Sequence, residues 1–185
     1  MTALEIKRAA EAYVDEIIDD DHAITAINRA LAEIGDQADL YSHLDVNVQT
    51  PGEAVDLPSE AISVYMVESL DRYGEPYEDY RQIGQTLFFR DPGRFRIHYR
   101  RMPSRLPANA INARPDIPDI FHEALVTYVA AWWKLQDDDE SPDGLRLMDE
   151  FKQQVLRISS VLRRRRVPRT VPVYRSYQPP RRGLG

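Results

Sequence analysis

Hydrophobic positions at the start of the chain fall three and four residues apart. Ile6, Ala10, Tyr13, Val14 and Ile17 share one stripe, which predicts an amphipathic helix. Thr2 and Glu5 have capping-box spacing, in which both side chains satisfy orphan amide donors. Asp19, Asp20 and Asp21 interrupt the pattern. A second helix then aligns Ile24, Ile27, Leu31 and Ile34, and Gly35 is expected to end it as a left-handed C-cap. Near the other end, Phe121, Ala124, Leu125, Tyr128, Trp132 and Leu135 predict a third helix with a broad apolar face, with Asp119 as its N-cap. Ser141-Pro142 opens a fourth, on which Met148, Phe151, Val155, Ile158 and Leu162 form a narrow seam. If that helix runs from 142 to 163 it is roughly 33 Å long. Such seams suit helix-on-helix packing.

The middle of the chain alternates instead. Leu44–Val48 and Ala61–Val67 read as strands, punctuated by Pro51-Gly52, Pro58 and Gly74. Thr86–Arg90 and Arg94–Arg100 flank the turn tripeptide Asp91-Pro92-Gly93 and read as a hairpin. The expected fold is therefore mainly α (α+β): a four-helix bundle with an inserted small antiparallel β-subdomain and an extended C-terminal arm. The expected divisions are a helix pair over 1–39, the β-subdomain over 40–106, a linker over 107–118, a second helix pair over 119–163 and a basic arm over 164–185.

Composition sharpens this in three ways. A chain of 185 residues can bury roughly 70% of its unfolded surface and needs no staples. It has no cysteine, which excludes disulfides and thiolate-ligated zinc and fits assembly in a reducing cytoplasm. No apolar run approaches the ~20 residues of a membrane span, and the first residues lead straight into a helix without a signal-peptide core, so a soluble, untargeted protein is expected.

The net charge of −6 hides a polarity. Residues 161–185 hold eight arginines (Arg163, Arg164, Arg165, Arg166, Arg169, Arg175, Arg181 and Arg182) and no acid. Removing those eight from the 24 basic residues leaves 16 against 30 acids, so residues 1–160 carry −14. After Arg166 come nineteen residues with four prolines, a composition that reads as extended chain with a reach of roughly 60 Å. Val171, Val173, Tyr174 and Tyr177 are interleaved there with Arg169 and Arg175. Such apolar anchors in a polar segment are typical of arms that order on a partner. The run Arg163–Arg166 has three readings: a solvated helix end, favoured by the helix dipole; a nucleic-acid patch; or an anchor to an acidic protein surface. The protein-partner reading is favoured.

Enzyme motifs are missing. There is neither a dinucleotide-binding GxGxxG nor a Walker sequence. His122-Glu123 begins like a zincin motif, but Val126 stands where the second histidine belongs, so His122 reads as structural. His22, His43 and His98 share no metal-ligand spacing. Asp137–Glu140 would place Pro142 where a calcium loop needs glycine, so it reads as a solvated loop, as does Asp19–Asp21. No catalytic residue, metal or cofactor is expected. Trp132 continues the apolar face of the third helix; Trp133, about 100° round, is expected either to cover the β-subdomain or to anchor a neighbouring subunit.

The order of these parts resembles the head–tail connector (adaptor) proteins of tailed bacteriophages. The likeness lies in a helical pair followed by Val55-Asp-Leu-Pro-Ser59, a β-region ending in Tyr99-Arg-Arg-Met-Pro103, the helix start Asp116-Ile-Pro-Asp-Ile-Phe-His-Glu-Ala-Leu-Val126, and an acidic loop before a final long helix. It spans residues 20–163. The resemblance implies a virion protein of the neck, assembled in the host cytoplasm, forming a ring commonly of twelve subunits. That ring would dock under the portal protein and lead to a stopper or tail-completion protein, with the C-terminal arm reaching the portal. Genomic DNA would pass through the lumen without sequence-specific binding, past an acidic wall, and no membrane is involved. The alternatives are another neck component, such as a stopper, a DNA-binding regulator using the arginine run, and, with no motif behind it, a small hydrolase using clustered acids.

Overall fold

The structure is a computed structural model that describes residues 1–166, apart from the side chains of Asp137 and Arg164–Arg166. Four helices, α1 (Ala3–Val14), α2 (Asp20–Gln37), α3 (His122–Asp137) and α4 (Pro142–Arg166), enclose one apolar core. Seven strands form a second: β1 (Tyr41–Val48), β2 (Ala54–Asp56), β3 (Ala61–Ser69), β4 (Glu75–Pro76), β5 (Tyr80–Ile83), β6 (Thr86–Phe89) and β7 (Gly93–Arg101). The expectation of a mainly helical bundle with a small β-subdomain is thus corrected to an α+β fold with four helices and two antiparallel sheets. The sequence pattern under-represented the β part because β2, β4 and β5 have three, two and four residues, too few to show alternation.

Helix α3 is the axis of the helical core. Every residue from Ala124 to Trp132 is buried, so the helix has no solvent face along that stretch and packs against α1, α2 and α4. A helix apolar on all sides must be clad by others. The cladding helices carry the narrower seams: Ala3, Ile6, Ala10 and Val14 on α1; Ile24, Ile27, Leu31 and Ile34 on α2; Leu147, Phe151 and Val155 on α4. Phe151 meets Tyr128 edge-on at 4.8 Å. The Thr2–Glu5 capping box forms as expected. Helix α1 then stops early: Asp15 takes a left-handed conformation, Ile18 turns into the core, and Ile17 and Tyr13 face solvent instead of continuing the stripe.

Gly35 does not end α2. The helix continues to Gln37, and Gly35 is buried where the segment after β7 crosses it. A Cβ there would lie 2.7 Å from both Met102 Cε and Pro103 Cδ, so glycine is required for close approach and not for backbone conformation. Asp119 is likewise no N-cap. It lies in a 3₁₀ turn (Asp119–Phe121) ahead of α3 and pairs with Arg114. The segment 103–118 is tied down: Asn28 on α2 donates to and accepts from the Leu106 backbone, and Ala3 and Leu4 N–H groups bond Ala113 and Ile111 carbonyls.

The expected hairpin of residues 86–100 is also corrected. β6 pairs with β2 and β5 in a three-stranded sheet, while β7 is central in a four-stranded sheet ordered β1-β7-β3-β4. Gly93 adopts φ 153°, and the Asp91–Gly93 turn carries the chain around a corner from one sheet to the other. The sheets close on an aromatic cluster in which Phe95 lies 4.6 Å from both Phe89 and Tyr77.

Placing a methyl group at the α2 crossing tests this account. Gly35→Ala is expected to destabilise the fold by about 1–3 kcal/mol, read as a lower denaturant midpoint. Met102→Ala in the same chain should relieve only part of it, since the Pro103 ring cannot swing away.

Candidate functional site

The two cores meet where α2 hands the chain to β1, and the end of α4 comes back to this junction. Arg100 on β7 donates to the Gly35 and Asp36 carbonyls, which places a cation at the C-terminal end of the α2 dipole. Asp39, in the short link between α2 and β1, lies 3.7 Å from the Arg100 guanidinium and accepts from Arg163 Nε at 2.8 Å. The first arginine of the basic run is thus fixed to the body. An exposed pair of this kind is worth at most ~1 kcal/mol, so its consequence is positional: it sets the last turns of α4 beside the start of β1.

Beside that pair is an open cleft of about 530 Å³, lined by Asp39, Tyr41, Ser42, His43, Tyr65, His98 and Arg163. Tyr41 and Tyr65 meet edge-on at 4.7 Å across the outer face of the four-stranded sheet. His98 Nε2 lies 3.1 Å from a Glu68 oxygen, at an angle that makes no hydrogen bond. Further along the same face Arg96 grips Asp45 with two parallel bonds of 2.7 and 2.8 Å, and these bonds hold the Asp45 carboxyl below its ordinary range. The cleft has aromatic walls and charged ends, with Ser42 and His43 also on its lining.

The remaining expected site residues fall as follows. Arg164, Arg165 and Arg166 belong to the last turn of α4. Arg169, Val171, Val173, Tyr174, Arg175, Tyr177, Arg181 and Arg182 lie outside the described residues. Trp133 does not cover the β-region. It packs on the helical core, and its Nε1 donates to Glu16 at 2.9 Å just past α1, a bond that lowers the Glu16 carboxyl. The reason is geometric: α3 runs beside α1, with the Met1 amino group near His122 at one end and the Val14 carbonyl near Lys134 at the other. The face of α3 that Trp133 occupies therefore looks at the α1–α2 corner.

His122 is buried at the start of α3. The Met1 amino group sits 2.7 Å from Nδ1, and Nε2 has no partner among the described residues. Burial lowers its pKa, the adjacent amino group lowers it further, and Asp119 opposes both. Among the described residues no group of three or more His, Asp and Glu side chains is arranged to hold a metal ion. No described helix is long and apolar enough to cross a membrane.

The model of the SU10 adaptor protein family matches residues 1–176. The chain belongs to the SU10 adaptor protein family. Membership makes it an adaptor protein. No curated protein matches the chain. Two solved structures are similar to it over much of their length. One is the neck of an empty GTA particle computed with C6 symmetry (16% identity, 62% of this chain, 67% of that chain, TM-score 0.30). The other is the neck of a native GTA particle computed with C12 symmetry (15% identity, 82% and 92%, TM-score 0.28). Both TM-scores lie well below the level at which two chains superpose as one fold.

The buried histidine gives a signed pH dependence. A group whose folded pKa is depressed binds its proton more readily when unfolded, so it favours folding fully only above its ordinary value of 6.5. Stability is expected to fall as pH drops below about 6.5, towards the lower folded value. Denaturant midpoints across pH 5–8 should show this slope, and it should be reduced in His122→Phe.

Proposed function

We propose that this adaptor works as a ring, with twelve subunits as the expected number, mounted under the portal protein and joined below to a stopper or tail-completion protein. Its activity is mechanical: it mates two assemblies and keeps the DNA conduit continuous. The observation that carries the reading is the charge polarity of an adaptor-family chain, an acidic body followed in sequence by a basic segment. Arg163, held by Asp39, joins the start of that segment to the body. In this reading Arg164, Arg165, Arg166, Arg169, Arg175, Arg181 and Arg182 meet acidic groups of the portal, while Val171, Val173, Tyr174 and Tyr177 are its apolar anchors. Charge steers and orients such contacts, and buried aromatics hold them.

The −14 on residues 1–160 bears on the conduit. A wall of acidic bodies repels the phosphate backbone, so DNA slides past it instead of sticking. Catalysis has no place in this reading, and no cofactor is called for.

Removal of the arm separates this function from DNA binding. A chain ending at Arg166 is expected to keep its circular dichroism and melting temperature but to lose co-sedimentation with portal rings that the full chain shows. Unchanged portal binding would defeat the arm assignment. Duplex binding that disappears with the arm and weakens steeply with salt would favour a DNA-binding role instead.

A further inference from the structure

The helical layer has an apolar projection at one end and an apolar recess at the other. The projection is the corner between α1 and α2. The left-handed turn at Asp15 aims Val14 and Ile18 inward and leaves Ile17 87% exposed and Tyr13 56% exposed. Behind the corner, Trp133 and Lys134 of α3 both bind Glu16, which fixes its position. The recess is a groove of about 410 Å³ between the start of α3 and the second half of α4, lined by Ile120, Glu123, Gln154, Arg157, Ile158 and Val161. Ile120 is 44% exposed at its lip. Corner and groove lie at opposite ends of α3, roughly 24 Å apart along a helix of 16 residues.

Resting on the ring reading above, we propose that the Tyr13–Ile17 corner of one subunit seats in the α3–α4 groove of a second copy of the same chain, head to tail around the ring. Charge supports this occupant. Five acids, Asp15, Glu16, Asp19, Asp20 and Asp21, surround the corner. On the groove, the Arg157 guanidinium lines the α4 side and has no ion-pair partner among the described residues. Glu123 on the opposite lip has the corner's own sign, which orients the acidic side of the corner towards α4. The two patches differ and cannot pair with themselves, so repeating the contact generates a closed ring or a filament, never an isolated two-fold dimer. Two side chains in a groove fall short of the ~1,200 Å² that stable pairs bury, so the contact is weak alone and gains strength when the ring closes.

The chain's lack of cysteine makes the test clean. Particles are assembled with the full chain bearing Ile17→Cys and Ile120→Cys, oxidised, then dissolved in denaturant without reductant. A ladder running past the dimer is expected, collapsing with reductant, whereas the control pair Ile17→Cys and Tyr73→Cys gives none. Equal laddering in the two pairs overturns the proposal. Native mass measurement of the unaltered neck separates the failures: many copies without test-pair cross-links overturn this contact alone, and a single copy overturns the ring reading with it. If the double variant does not assemble, Arg157→Glu is the second probe. Its melting temperature should be unchanged and its assembly yield should fall by about tenfold, because like charges then meet across the groove. An unchanged yield overturns the contact.

Discussion

One constraint organises the helical half: α3 is apolar on every side and cannot touch water along its middle. Fully buried side chains such as Phe121 and Leu125 contribute about 1.5–3 kcal/mol each relative to exposure, but only if all flanks are covered. Three helices are needed for that, and they arrive from both ends of the sequence. The amino-terminal pair and the carboxy-terminal hairpin are therefore held together by one strip of surface. Each cladding helix spends one narrow face on α3 and leaves a mostly polar outer face, interrupted by Tyr13 on α1 and by Leu145 and Leu156 on α4.

The second core is joined to the first by few but stiff connections. Gly35 lets the chain after β7 press on α2, Arg100 binds the last α2 carbonyls, and Asn28 clasps Leu106. Because Asp39 sits inside this joint, its bond to Arg163 ties the far end of α4 to the place where the sheets begin.

The long seams were legible in the sequence because a 3.6-residue period repeated over four turns admits few other readings. Strands β1, β3 and β7 were legible because eight or nine residues are enough to show a two-residue alternation. What escaped depends on contacts distant in sequence. Gly35 has the right residue type for a helix stop, and only Met102 and Pro103, more than sixty positions on, give it a different purpose. Residues 86–100 have hairpin spacing, but their partners are β2, β5, β1 and β3, so the turn between them is a corner. Of the candidate site, the arginine run was visible as charge and Asp39 was not, since nothing local distinguishes it from 29 other acids. Trp133 stood out in the sequence, but its neighbour Glu16 could be named only once α1 and α3 were known to run side by side.

Acids crowded at the α1–α2 corner would ordinarily be a cost, because like charges within a few residues repel. Local structure offsets it in four ways. Asp19 caps α2 and accepts from the His22 amide at 2.9 Å, Asp20 and Asp21 lie in the first turn, where the helix dipole favours anions, and Lys7 reaches Asp20. Glu16 is held by Trp133 and Lys134. Stabilisation of this kind requires the corner to be built as it is, with α1 ended at Asp15 and the chain turned outward. The exposure of Ile17 then follows from the same turn that begins α2. An apolar side chain in water amid tolerated negative charge is not left over from an imperfect core, because Ile18 beside it is fully buried. The left-handed turn at Asp15 sets both orientations at once, Ile18 inward and Ile17 outward.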